Sequence, residues 1–209
     1  MHNILIFGDS IAVGRGVDKV KSWASLLAQD LDKKDKRSIL LYNLSIPGQS
    51  TNEVLKRFST EAEVRCKKIY PDDRCTIVFA LGINDAKCVE TKDNIITTTE
   101  NFKNNIRLLI NNARKYIGNI IFIGPTLVDE KKTMPIDTNY FSNKKILEYS
   151  SILKKICIEN GISFVDVADD WRQRNYKKFL TRDGIHPNEQ GHKTIYENII
   201  KIENFDFES

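Results

Sequence analysis

A serine at position 10, an aspartate at position 183 and a histidine at position 186 are the residues of this chain whose types could assemble a nucleophile. The serine ends the stretch Asn3-Ile4-Leu5-Ile6-Phe7-Gly8-Asp9-Ser10, where an apolar run stops at a glycine, an acid and a hydroxyl. A serine hydroxyl is a poor nucleophile by itself. It needs a base to take its proton, an acid to orient that base, and donors for the oxyanion that forms on attack at a carbonyl. Taken alone, Gly8-Asp9-Ser10 reads more readily as a turn or helix cap, and a nucleophile requires the other parts to be present.

Three histidines are available, His2, His186 and His192. His2 precedes the first strand, at the wrong end of a sheet for a site, and His192 falls inside the last helix, where a surface or packing role is expected. His186 lies in Asp183-Gly184-Ile185-His186-Pro187-Asn188. Gly184 permits a tight turn there, and Pro187 keeps the preceding histidine out of helical conformation. Asp183 can then accept a hydrogen bond from one ring nitrogen, leaving the other free to act as base. The alternative is a turn in which Asp183 and Asn188 only shape the entry to a helix. Oxyanion donors should be backbone amides or an amide side chain. Gly48, ahead of a predicted helix, and Asn84, in Gly82-Ile83-Asn84-Asp85, follow other strand ends. Each in isolation is an ordinary turn residue.

Together, Gly8-Asp9-Ser10, Asn43 with Gly48, Gly82-x-Asn84-Asp85 and Asp183-x-x-His186-Pro187 resemble the four blocks of the SGNH (GDSL-type) esterases and lipases, in order and over residues 4 to 192. The resemblance implies a flavodoxin-like α/β/α sandwich and a serine hydrolase acting on esters. It assigns Ser10 as nucleophile, His186 as base and Asp183 as its orienter. The Ser10 N–H, the Gly48 N–H and the Asn84 side chain become the oxyanion donors. The chain departs from the family pattern at Ser45, which stands in a glycine's place, at Pro47 before Gly48, and at Ile11, where the family name has leucine. Asp9 and Asp85 are expected to fix loops by hydrogen bonding and not to act catalytically.

The implied reaction passes an acyl group to Ser10, releases an alcohol, and frees the acid with water, with no metal or organic cofactor. An ordinary imidazole titrates near pH 6.5, so activity should rise as pH climbs through roughly 6 to 7. Short-chain carboxylesters, carbohydrate O-acetyl groups, and thioesters or lysophospholipids are all candidate substrates. Met134, Pro135, Tyr140 and Phe141 could line an acyl pocket or simply pack over the sheet edge. A non-enzymatic rival, a nucleotide- or phosphate-binding flavodoxin-like module, is prompted by Gly8, Gly14 and Gly16, but their spacing fits neither G-x-G-x-x-G nor G-x-x-x-x-G-K-[ST]. A receiver-type signalling domain would want an aspartate ending the third strand, where Leu81-Gly82 stands instead.

The elements that must position these residues alternate along the chain. Apolar runs predict strands at 3–7, about 38–44, 75–81, 119–123 and 162–167. Their near-continuous apolarity suits a mostly parallel five-stranded sheet covered on both faces. Helices are predicted after Ser22, after Ser50 and Thr97 (each with a Glu three residues on, the spacing of a capping box), over about 142–160 and over about 189–202. Stretches 82–96 and 125–141 resist assignment and follow strand ends, the edge where ligands bind in open α/β sheets.

Composition fits one globular domain spanning residues 1–209: 41% apolar and 29% charged residues, with a formal charge of +4 from 32 basic and 28 acidic residues. The cations are scattered, which argues against a nucleic-acid partner; a small-molecule ester is the expected ligand, and oligomeric state is left open. No apolar run nears the roughly 20 residues needed to span a bilayer. A first strand beginning at about Asn3 leaves no room for a signal peptide, so a cytoplasmic location is expected. Cys66, Cys75, Cys88 and Cys157 show no C-x-x-C pair and no metal spacing, and all four are expected to be reduced. Cys75 and Cys157 read as small core residues, and Cys88 as exposed near the site.

Overall fold

The side chains of Ile4, Leu5, Ile6 and Phe7 are all fully removed from water, and the sheet is built around them. The computed structural model describes residues 1–34, 38–67, 70–116 and 118–202. Seven strands form among them: β1 (His2–Gly8), β2 (Ile39–Asn43), β3 (Arg74–Ala80), β4 (Cys88–Val89), β5 (Ile120–Ile123), β6 (Asn139–Tyr140) and β7 (Ser163–Val165). Five make one sheet in the order β2-β1-β3-β5-β7, every pairing parallel. That is the flavodoxin-like arrangement, with the strand order reversing between β1 and β3. Parallel register sets Phe7 beside Phe79, Phe79 beside Phe122 and Phe122 beside Phe164, a row of rings across four strands. Phe58 of the covering helix closes on it, 5.0 Å from Phe7 and 5.4 Å from Phe79 between ring centroids.

The helices are α1 (Ser10–Val13), α2 (Trp23–Lys34), α3 (Thr51–Arg65), α4 (Thr99–Ala113), α5 (Glu130–Thr133), α6 (Asn143–Glu159), α7 (Val167–Arg172) and α8 (Glu189–Ile199). α4 packs between α3 and α6, while α2 packs on α8, so the sheet carries a helical layer on each face. The Ser50 cap is a full box: its side chain accepts from the α3 backbone, and Glu53 accepts the Ser50 N–H at 2.8 Å. The box expected at Thr97 does not form, and the cap falls one residue later. Thr97 is occupied in the core, its hydroxyl accepting from Asn52 and its carbonyl from the Tyr149 hydroxyl, so Thr98 caps α4 instead and accepts the Asn101 N–H at 3.3 Å. The last helix stops at Ile199, short of residue 202.

Two expectations about cysteine are overturned. Cys66, at the end of α3, and Cys75, in β3, form a disulfide, their Cα atoms 5.5 Å apart; the chain returns from helix to strand within nine residues and brings them into bonding range. Cys88 is buried, because β4 lies inside a small antiparallel ribbon with β6. That ribbon also accounts for the two unassigned stretches, which hold each other over the carboxyl edge of the sheet: Cys88 pairs with Tyr140 and Val89 with Asn139. Among the described residues no helix is long and apolar enough to cross a membrane.

Candidate active site

Ser10 is the first residue of α1, reached directly from the carboxyl end of β1. The turn is tight: a side chain on Gly8 would bring a Cβ to 2.7 Å from the Ala12 Cβ and 3.1 Å from the Ala80 carbonyl. Asp9 caps α1, its carboxylate accepting the Ile11 N–H at 2.9 Å. The Ser10 side chain is thereby presented at the rim of the sheet, half-buried.

The second loop is tied to the first by Asn43, whose amide donates to the Ala12 carbonyl at 2.8 Å and whose side-chain oxygen accepts the Ser45 N–H at 3.2 Å. The Ile46 N–H adds a bond to the Gly8 carbonyl at 3.1 Å. Despite Ser45 and Pro47, the loop reaches Gly48 in the left-handed region, φ +82°, with open space where a side chain would stand. Among the described residues no acceptor takes the Gly48 N–H.

The third loop supplies Asn84 and Asp85. Asp85 accepts the Thr51 hydroxyl at 2.6 Å and the Thr51 N–H at 3.1 Å, which fastens the loop after β3 to the start of α3. Burial pushes its carboxyl up to about 6 against these bonds. The Asn84 amide nitrogen donates to Asp9 at 3.2 Å and to the Gln49 carbonyl at 3.1 Å. Both its hydrogens are therefore engaged, and donation to a further acceptor requires sharing one of them. Asp9 is wholly enclosed, and burial raises its carboxyl to about 7; the Ile11 N–H bond opposes this, and the charge of Asp85 adds to it.

The fourth loop holds the histidine. Asp183 Oδ1 accepts the N–H groups of Ile185 and His186 at 2.8 and 3.0 Å and the Thr181 hydroxyl at 2.8 Å, while its Oδ2 lies 2.6 Å from His186 Nδ1. Burial raises the Asp183 carboxyl, but the bonds from His186, Ile185 and Thr181 outweigh it and hold the group at about 2. His186 Nε2 lies 3.0 Å from Ser10 Oγ, across 176 residues of sequence. This network assigns the tautomer: Nδ1–H donates to Asp183, and Nε2 accepts from the serine.

The other histidines stand apart. His2 Nε2 pairs with the Thr76 hydroxyl at 2.8 Å, at the amino end of the sheet. His192 is fully buried beneath the site, its Nδ1 accepting the Trp23 N–H at 3.3 Å; burial and the neighbouring His186 lower it to about 4, so it stays neutral. Gly14 ends α1, and Gly16 passes beside Thr181 and His186, so the glycines that suggested a phosphate loop serve the turn behind the serine.

A cleft of about 280 Å³ opens over Ser10 and His186, with Gly48, Asn84, Lys87 and Phe141 among its walls. Of the four residues that could either line an acyl pocket or pack over the sheet edge, Phe141 reaches the cleft, while Met134, Pro135 and Tyr140 are not among its walls. Ile136 and Asn139 do, brought in by the β4–β6 ribbon. Sequence reading passed over Lys87; its place three residues after Asn84 was the available signal. Among the described residues no three His, Cys, Asp or Glu side chains gather as metal ligands do.

Comparison with known proteins agrees with this architecture. The sequence profile described as the GDSL-like Lipase/Acylhydrolase family matches residues 6–194. An isoamyl acetate-hydrolyzing esterase of Saccharomyces cerevisiae is 27% identical over 220 residues, covering 96% of this chain and 85% of the yeast protein. Among solved structures, the acetyl xylan esterase AlAXEase superposes with a TM-score of 0.74 at 20% identity, over 95% of this chain and 98% of that one. A lipase/acylhydrolase from Enterococcus faecalis gives 0.73 at 21% identity, over 96% and 94%.

Proposed function

The chain belongs to the GDSL-like lipase/acylhydrolase family and is a hydrolase of ester bonds, and on that premise we propose that it cleaves carboxylic esters through an acyl-enzyme on Ser10, residues 1–209 acting as one domain. One observation carries the reading: the Ser10 hydroxyl, the His186 ring and the Asp183 carboxylate form a continuous relay, at 3.0 and 2.6 Å.

Ser10 Oγ attacks the carbonyl carbon as its proton passes to His186 Nε2. Asp183 stabilises the imidazolium and keeps the ring oriented. The oxyanion is received by the N–H groups of Ser10 and Gly48 and by the Asn84 amide, which shares a hydrogen now given to Gln49 or Asp9. Collapse of the intermediate breaks the bond to the alcohol oxygen, which leaves with the proton from His186. Water, deprotonated by the same nitrogen, then releases the acid and restores Ser10.

The preferred substrates are short-acyl esters, acetyl foremost. The support is the modest cleft, walled by Phe141, and relatives named for an isoamyl acetate esterase and an acetyl xylan esterase. A panel of 4-nitrophenyl esters of graded chain length, with acetylated xylo-oligosaccharide, an acyl thioester and a lysophospholipid, tests this with wild type beside Ser10→Ala and His186→Ala. Turnover should be highest for acetyl or propionyl esters and should fall by about 10⁶ in either variant, the scale of losing one member of a serine triad. Faster cleavage of long-chain, thioester or lysophospholipid substrates would reject the substrate class. Comparable turnover by folded Ser10→Ala would reject the mechanism.

A further inference from the structure

In the cleft over Ser10, Lys87 is half-buried yet makes no ion pair with another of the described residues. Its ammonium sits 5.9 Å from the centroid of the buried Phe141 ring. Several lysines more exposed than Lys87 do meet a carboxylate, Lys21 with Glu189 at 2.6 Å, Lys154 with Asp166 at 3.0 Å and Lys177 with Asp129 at 2.9 Å, whereas Lys87, partly withdrawn from water, does not. The acids whose fields reach Lys87 are committed elsewhere: Glu53 to the Ser50 cap, and Asp9 to Ile11 and Asn84. Arg15, exposed on the same cleft, also has no carboxylate within 4.0 Å among the described residues. On the acidic side, Asp183 is held by His186, and the exposed Asp137 pairs with neither cation.

A cation stripped of part of its water and given no protein anion is unfavourable unless a ligand supplies the missing charge. Burial lowers the Lys87 pKa, and the charges of Glu53 and Asp9 oppose the shift without reversing it. Lys87 leaves the loop after β3 three residues beyond Asn84, so an ester whose carbonyl lies at Ser10 can bring a second group to it. We propose that Lys87 is a specificity-determining residue that selects esters carrying a carboxylate on the acyl or the alcohol portion, with Arg15 adding to the positive potential at the cleft mouth. The inference rests on Ser10 hydrolysis as described above and goes beyond it in naming the charge of the substrate.

A lysine near the oxyanion would aid every ester alike, whereas a lysine that recognises a carboxylate aids only the charged ones. The test is therefore a ratio. Release of 4-nitrophenol is measured for 4-nitrophenyl hydrogen succinate against its neutral methyl ester. Release of acetate is measured for 4-acetoxybenzoate against methyl 4-acetoxybenzoate. Wild type should prefer the charged member of at least one pair in kcat/KM; Lys87→Gln should shrink that preference about tenfold, the effect of one partly desolvated charge pair. Lys87→Arg should retain most of it, and 0.5 M salt should reduce it. The pair that shows the effect reveals which side of the ester holds the charge. Equal rates within both pairs, or a preference that survives Lys87→Gln, overturns the inference while leaving Ser10 hydrolysis standing. Undiminished hydrolysis by Ser10→Ala would instead remove the reading beneath it.

Discussion

Asp183 Oδ2 lies 2.6 Å from His186 Nδ1, and the other oxygen of the same carboxylate collects two backbone N–H groups and the Thr181 hydroxyl. The carboxylate thus fixes both the ring and the loop that carries it. Asp183→Asn keeps the shape but replaces the acceptor facing Nδ1–H with an amide, which favours the wrong tautomer. In proteases of unrelated fold the corresponding change costs about 10⁴ in kcat, and a loss of about 10³–10⁴ is expected here with KM little altered. Steady-state kinetics on a short-acyl ester check it.

The same group ties stability to acid. Its carboxyl is held at about 2, below the ordinary 3.8, so the folded form keeps the ionised state that the unfolded chain loses first. This contribution is complete above pH 3.8 and disappears as pH falls toward 2. Urea unfolding between pH 5 and pH 2 should therefore lose less stability in Asp183→Asn than in wild type.

Asp9 works in the opposite direction. Its enclosed carboxyl is raised from 3.8 to about 7, so ionisation favours the unfolded chain and wild-type stability falls as pH rises between those values. Asp9→Asn removes that slope. Thermal melts from pH 4 to pH 8 should show a smaller decline for the variant. Its turnover should drop about tenfold or more, because Asn84 loses the acceptor that orients its amide.

Much of this was legible in the sequence, for reasons that particular residues make plain. β1, β3 and β5 are recognisable because strands covered on both faces leave uninterrupted apolar runs, as in Ile4 to Phe7. The Ser50 cap is readable because a box is local chemistry. The Thr97 box was not, since three consecutive threonines compete for the cap and a distant tyrosine and asparagine decide among them. The Cys66–Cys75 bond and the β4–β6 ribbon depend on where loops return, which local residue types do not encode. Within the site, the four loops are marked by their own residues. The engagement of Asn84 with Gln49 and Asp9, and the unpaired state of Lys87, arise only when those loops meet.

Asn84 should matter to the transition state more than to binding. Asn84→Ala removes one of the three donors proposed for the oxyanion and is expected to lower kcat by about 10²–10³ with a much smaller change in KM. A rise in KM at constant kcat would assign Asn84 to ground-state binding instead.

Phe58 joins α3 to the row of rings across the sheet, and it is fully buried. Phe58→Ala should cost about 3–5 kcal/mol of unfolding free energy, the usual range for a buried aromatic cut to alanine. Because α3 begins just after Gly48, the variant should also lose activity at temperatures below its melting point. Denaturant unfolding and a temperature series of rates check both parts.

The most direct measurement is covalent capture of the nucleophile. A fluorophosphonate probe, followed by peptide mass spectrometry, should place one adduct on Ser10, with labelling absent in Ser10→Ala and slowed by several orders of magnitude in His186→Ala. An adduct on another residue, or a folded, ester-cleaving protein that takes no label, would contradict the account.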